Sequence, residues 1–291
     1  MGLVAGIVTG VVLFGIFRVA LHRVVADQLQ AAVTQIPGCT GIRYRSLTIP
    51  YLSLECEVQD AVLLFAGVAD AIPLGTLHVR RFQPGSPFPR VLEAAVRGAV
   101  IHARQPALAP LRDSLQTLAI ETLTLDASVR WAREGEETER WRMGLDLQSA
   151  GFGRAVFAFR LDKVNPEGVA LALEKPVNWF LVLPPMKLVA ASGRYEDRGW
   201  VERLLTVAAR RQGRPPEEVQ KALAQNFQVR AQGAREPVVR AFWQALEDFS
   251  RHPGRLAFQT RLSRPLPLGQ LMWMRETEAV VRGLALEVTT H

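Results

Sequence analysis

The sequence predicts an α+β chain: an N-terminal transmembrane helix, then a largely antiparallel β-sheet body, with a C-terminal helical segment packed on the sheet. Three observations predict it. Residues 2–17 read GLVAGIVTGVVLFGIF and carry no charged side chain. From Leu52 to Leu161, apolar and polar residues alternate in one segment after another, the period of strands with one wet face. Beyond residue 196 the apolar spacing changes to three and four, the period of helices. Three regions follow: an anchor with its juxtamembrane helix (1–36), a β-rich domain (37–195), and a helical and strand part packed on the sheet (196–291).

The anchor comes first. Leu3 to Leu21 is long enough for a bilayer, which takes about 20 mostly apolar residues. Thr9 can return its hydroxyl to a carbonyl one turn back, and Arg18, near one end, can snorkel to the headgroups. A cleaved signal peptide needs a basic leader and a small-residue cleavage site. Here only Met-Gly precedes the stretch, which runs on into His22, Arg23 and Asp27, so an uncleaved anchor is expected. Gly2, Gly6 and Gly10 form two overlapping G-x-x-x-G units on one helix face, an expected docking face for another span. Arg18, Arg23, Arg43 and Arg45 follow the apolar stretch and by the charge rule would hold the bulk in the cytoplasm.

Val19 to Ile36 reads as a polar-apolar helix stopped by Pro37-Gly38. YLSLECEV (51–58) puts Leu52, Leu54, Cys56 and Val58 on one face. GTLHVRRF (75–82) and RGAVIHA (97–103) read as further strands between proline-rich loops. The clearest hairpin is TLTLDASVRW (122–131), the charged turn EGEETE, and WRMGLDL (141–147). Leu125, Val129 and Trp131 share a face with Trp141, Met143 and Leu145. Pairing centred on Glu136 would set Trp131 opposite Trp141, Val129 opposite Met143 and Arg133 opposite Glu139. GRAVFAFRLD (153–162) continues the meander with Phe157 and Phe159 on the apolar face. GVALALE (168–174) and LVLPPMKLVAASGRY (181–195) are expected to extend it as strands.

The helices come next. Val201, Leu204, Leu205 and Ala208 mark the first, with Gly213 as its stop. Pro215-Pro216 opens the second, with Glu217 and Glu218 in a first turn whose dipole favours them, and Val219, Ala222, Leu223 and Phe227 expected inward. The third starts near Pro237, with Val239, Phe242, Leu246 and Phe249 inward, and His252-Pro253-Gly254 ends it. RLAFQTRL (255–262) and LALEVTT (284–290) return to strand.

The chain has 291 residues, 48 % of them hydrophobic, a net charge of +7 and a pI near 10.1. Its arginines are scattered through the predicted strands rather than clustered, and its tryptophans fall on apolar faces. Nucleic acid is therefore not an expected partner. There is no H-E-x-x-H, no C-x-x-C, no G-x-S-x-G, no Walker loop and no G-x-G-x-x-G. Gly151-Phe-Gly153 is a turn between strands. The acidic run Glu134 to Glu139 reads as a solvated hairpin tip, and His78 and His102 as strand residues. No catalytic, cofactor-binding or metal-ligating residue is expected. Cys39 and Cys56 are the two cysteines; a bridge would indicate an oxidising compartment, whereas the placement of Cys56 among Leu52, Leu54 and Val58 suits a buried thiol.

An anchor, half-apolar antiparallel strands and then helices resemble the AsmA-like and related proteobacterial envelope proteins. A more local resemblance, over SGRYEDRGWVERLLTVAARRQGRPPEEVQKALAQNF (192–227) and HPGRLAFQTRLSRPLPLGQL (252–271), is to the C-terminal part of uncharacterised membrane-anchored proteobacterial proteins. There Asp197 would cap a helix start and Gly213 would stop it. The resemblance implies an inner-membrane anchor, a periplasmic body and a sheet whose apolar face handles phospholipid. It carries over no catalytic residue.

The expected protein is thus a non-enzymatic, single-pass envelope protein of the bacterial inner membrane, its bulk in the periplasm. Its sheet, through Leu125, Val129, Trp131, Trp141, Met143, Leu145, Phe157 and Phe159, would contact phospholipid or brace an envelope partner. The alternative is an accessory structural subunit docked on a membrane protein through its glycine-lined span. The two differ in whether Trp131, Trp141, Phe157 and Phe159 are covered by the chain's own helices or line an open trough.

Overall fold

The computed structural model describes residues 22–27, 29–31, 33, 39–49, 55–65, 71–83, 90–103, 116, 118, 120–135, 139–174 and 176–291. Among the described residues twelve strands form one antiparallel sheet: β1 (Cys39–Arg43), β2 (Ser46–Thr48), β3 (Cys56–Phe65), β4 (Ile72–Gln83), β5 (Val91–His102), β6 (Thr122–Arg133), β7 (Trp141–Ser149), β8 (Gly153–Asp162), β9 (Lys187–Asp197), β10 (Arg255–Thr260), β11 (Leu266–Pro267) and β12 (Leu286–Thr290). The spatial order is β1-β3-β4-β5-β6-β7-β8-β9-β10-β12, with β2 on β3 and β11 on β9. Strands of the expected β-rich and C-terminal regions therefore share one sheet. The helical residues between 22 and 33 dock on its first edge: Val33 is buried among Cys39, Ile42, Val58 and Ala61, and Gln30 Oε1 accepts the Ile42 N–H at 3.2 Å.

The helices are α1 (Pro166–Glu174), a 3-10 turn (Pro176–Asn178), α2 (Trp179–Val182), α3 (Trp200–Gln212), α4 (Pro216–Gly233), α5 (Pro237–Arg251), α6 (Leu268–Trp273) and α7 (Thr277–Gly283). The expected transmembrane helix requires correction. Among the described residues no helix is long and apolar enough to cross a membrane. The stretch on which that expectation stood, with Gly2, Gly6 and Gly10, lies outside the described residues. Nothing among the described residues supports the expected inner-membrane anchor.

Two strand assignments are also corrected. GVALALE is helix α1, and 181–186 completes α2 and a turn before β9 begins at Lys187. The local chemistry explains the first. Pro166 sits at the start of α1, Asn165 Oδ1 accepts the Glu167 and Gly168 N–H groups at 3.0 and 3.3 Å, and alanine and leucine favour helix over sheet. Four residues of alternation were too few to separate the two periods.

The β6–β7 hairpin keeps its faces but not its register. Trp131 pairs with Met143, Val129 with Leu145 and Arg133 with Trp141. The loop is wider than expected: the Glu134 N–H bonds the Arg140 carbonyl at 2.9 Å. A slip of two residues preserves which side chains share a face, so the apolar assignment survives the shift.

Helix α3 ends at Gly213, which adopts φ 62° and lets its N–H return to the α3 carbonyls. In α4 the buried stripe is Val219, Ala224 and Ala231, while Ala222 and Leu223 are exposed. The small alanines let α4 lie close along α5, which the larger leucine would prevent. In α5, Val239 and Trp243 are buried; Phe242 and Leu246 pack beside them.

Candidate functional site

Register and alternation build one continuous apolar face. A first rung runs Cys56, Val79, Ala94, Val129, Leu145, Phe157, Gly193, Phe258 and Val288 across β3 to β12. A second runs Val58, Leu77, Val96, Ala127, Leu147, Ala155, Tyr195 and Leu256. A third joins Leu92, Trp131, Met143, Phe159 and Ala191. Each rung follows from strand geometry, because side chains two apart share a face and partners lie opposite one another.

The chain's own helices cover this face unevenly. At one end, Trp141, Leu161, Val164, Met186 and Leu188 are buried beneath Val169 of α1, Val182 and Leu183 at α2, and Leu268 and Leu271 of α6. Trp131, Met143 and Phe159 pack against that cluster. At the opposite end Phe152 stacks on Trp200 of α3 with ring centroids 3.7 Å apart, beside buried Ala103 and Ile120. Along the β10–β12 side α5 lies over the sheet, with Phe249 edge-on to Tyr195 at 6.0 Å and Trp243 and Val239 packed with Leu286. Between these three walls the floor is half-exposed. Leu77 packs with the Val58 cluster at the first edge and Ala99, opposite Leu125, is buried, whereas Val79, Ala94, Val96, Leu125, Ala127, Val129, Leu145, Leu147, Ala155 and Phe157 stand between buried and exposed. The result is a trough over five strands, β4 to β8, about 19 Å across at the usual strand spacing.

The expected apolar set therefore divides. Trp141 is buried at 7 % exposure, and its indole N–H has no hydrogen-bond partner among the described residues. Trp131, Met143 and Phe159 belong to the covered end. Leu125, Val129 and Leu145 lie on the open floor, and Phe157 forms its margin, 6.2 Å from Phe258. Ala127, Leu147 and Ala155, which alternation also sets on the apolar face, complete the floor with Val79, Ala94 and Val96. Val79 is legible in GTLHVRRF, but Ala94 and Val96 precede the strand expected at 97–103, and the pairing that makes all of these neighbours is non-local.

The described side chains of the trough floor are apolar. Cys56, at its β3 end, is a free thiol, as is Cys39; burial pushes the Cys56 thiol up, against a smaller lowering from the Val79 backbone. Tyr195 marks the α3 end. Its hydroxyl lies 2.5 Å from the Phe152 carbonyl and 2.8 Å from Asp197 Oδ1. Burial first, and the Asp197 hydrogen bond second, hold the phenol far above its ordinary value.

The opposite face is a field of ion pairs. Glu134 bridges Arg142 and Arg160 at 2.7 and 3.3 Å, and Glu196 bridges Arg194 and Arg255 at 3.4 and 3.0 Å. Arg154 grips Asp146 with both Nε and Nη2, at 3.0 and 2.6 Å. That hydrogen bond is the chief reason the Asp146 carboxyl stays below its usual value. Among the described residues no group of three His, Cys, Asp or Glu is placed to hold a metal ion.

A family model described as "Uncharacterized protein" matches residues 144–291, just over half of the chain. No curated protein matches the chain.

Proposed function

We propose that this chain, which belongs to the family of uncharacterized proteins whose model spans residues 144–291, is a non-enzymatic binding protein that seats the acyl chain of a lipid in the trough. One observation carries the reading: ten apolar side chains on five adjacent strands form a floor of intermediate exposure, while the same face is packed at its ends. A packed core buries such side chains, and each methylene of a guest removed from water contributes about 0.8 kcal/mol. The resemblance to AsmA-like proteins, whose apolar sheet face handles phospholipid, supports the same guest.

The test uses the purified full chain and a fluorescent long-chain fatty acid. Saturable binding is expected. Val129→Asp and Leu145→Asp place a carboxylate on the floor and should abolish it, whereas Ser128→Asp, on the other face, should leave it intact. Absence of saturable binding to the native chain refutes the proposal.

A second reading, an accessory subunit docked on a larger partner, is favoured by a different observation. Helices α1, α2 and α6 and the 3-10 turn expose Leu171, Val177, Phe180, Leu181 and Trp273 at 56–79 %, and exposed apolar side chains in number mark interaction sites. Phe180→Ser with Trp273→Ser should release a stoichiometric partner from the natively purified complex while fatty-acid binding persists. An unchanged complex sets that reading aside.

A further inference from the structure

The wet face of the sheet carries a groove of about 560 Å³ over β4 to β8, within the range of small-molecule sites, about 300–1,000 Å³. Four guanidiniums line it, those of Arg80, Arg97, Arg130 and Arg154, against three carboxylates, those of Glu93, Asp126 and Asp146. The carboxylates are already engaged. Asp146 is held by both donors of Arg154. Asp126 Oδ1 accepts the Gly98 N–H at 2.7 Å. Glu93 lies 3.8 Å from Arg80. Arg97 and Arg130 are left without a hydrogen bond or ion pair to any described residue. The Asp146 carboxyl is also under the positive field of Arg154, Arg130 and Arg194 together, so charge in this part of the groove is in excess of its acids.

The backbone fixes the arrangement. Two adjacent strands bulge here, β4 between Val79 and Arg81 and β5 between Val96 and Ala99. The second bulge carries Gly98 at φ 70°, with its N–H pinned by Asp126. Bulges re-aim side chains, and these two set Arg80 and Arg97 at the groove. Ser128 and Gln148 add neutral hydrogen-bonding groups to the lining.

We propose that this groove binds a small phosphate-bearing molecule, its phosphate held between Arg97 and Arg130. Guanidinium is the side chain that meets phosphate with two parallel N–H donors. The volume admits one small molecule, and although Ala94, Ala95, Val96 and Ala127 contribute to the lining, its four guanidiniums outnumber its three carboxylates and suit an anionic guest.

The experiment titrates the full chain with pyrophosphate by calorimetry. Saturable binding is expected, and Arg97→Gln and Arg130→Gln should each weaken it about tenfold or more, the loss of a charge-assisted hydrogen bond. Arg130→Lys keeps the charge without the fork and should fall between. Ser128→Asp adds a fourth carboxylate and should abolish binding. These positions face solvent, and unchanged urea midpoints will show that the variants are folded. Arg235→Gln, on an exposed loop away from the groove, should bind like the native chain. The proposal is overturned by a native chain that does not saturate, by Arg235→Gln matching the loss in Arg130→Gln, or by Ser128→Asp binding unchanged. Fatty-acid binding on the other face is independent of each of these results.

Discussion

Asp197→Ala is expected to destabilise the chain by about 2–3 kcal/mol, combining the loss of its bonds to the Gly199 and Val201 N–H groups, at about 1, with a lost charged hydrogen bond at about 1.5 or more; the N-cap of α3 is Gly199 and not the expected Asp197, which supports the first turn from two residues before it. The carboxylate has three donors. Oδ2 accepts the Gly199 N–H at 2.9 Å, and Oδ1 accepts the Val201 N–H at 3.1 Å and the Tyr195 hydroxyl at 2.8 Å. It thereby serves the first turn of α3 and ties that helix to the end of β9. Partial exposure of the site keeps the figure below the sum for a buried carboxylate. Asp197→Asn retains an acceptor oxygen and should cost about half as much. Urea unfolding followed by far-UV circular dichroism supplies the values. Tyr195→Phe completes a double-mutant cycle, and a coupling of about 1 kcal/mol between positions 195 and 197 is expected, since contacting residues are not additive. An Asp197→Ala variant within about 0.5 kcal/mol of native, or a Tyr195→Phe cost equal in both backgrounds, would refute the first-turn support and the tie alike.

Gly193→Ala should cost about 1–3 kcal/mol by overpacking, because a Cβ there would approach Phe157 Cδ1 to 3.0 Å and the Phe258 ring more closely still; Phe258→Leu should recover most of the loss, and thermal melts of the single and double variants decide it. Asp146, with its folded value depressed by Arg154, contributes stability that is present above the unfolded value of about 4 and lost as pH falls through the folded value. Asp146→Asn should therefore flatten the urea midpoint against pH below about 4, and an unchanged acid slope would contradict the pairing.

The sheet was legible in the sequence wherever alternation ran long. TLTLDASVRW, WRMGLDL and GRAVFAFRLD gave their faces correctly because a slip of two residues leaves face membership untouched. Register was not legible, since a slip of two residues leaves both the alternation and the direction of every N–H unchanged, and the closing bond from the Glu134 N–H to the Arg140 carbonyl has no signature in the apolar pattern. GVALALE failed for a different reason: its alternation is short, and Asn165-Pro166 upstream is a helix start rather than a strand boundary. In α4, helical periodicity pointed to Leu223, whereas the close approach of α5 selects Ala224. Neither candidate site could be read outright. The trough needs the middle rungs to be left uncovered by helices remote in sequence. The wet-face arginines appear scattered in the chain, and only pairing across β4 to β8 gathers them.

The strand order carries a consequence for how the chain is made. From β3 to β9 each strand lies beside its predecessor, so pairing can proceed in the order of synthesis, each step closing a connection to the strand made just before. Between β9 and β10 that order is interrupted: residues 198–254 supply three helices before the next strand joins the sheet. Until α3, α4 and α5 have emerged, β9 is the growing margin, with its row of N–H and C=O groups on the β10 side waiting for a partner. A ribosome pausing within this stretch would hold out a long unpaired edge, and any chain stalled there is the form of this protein most prone to join another like itself.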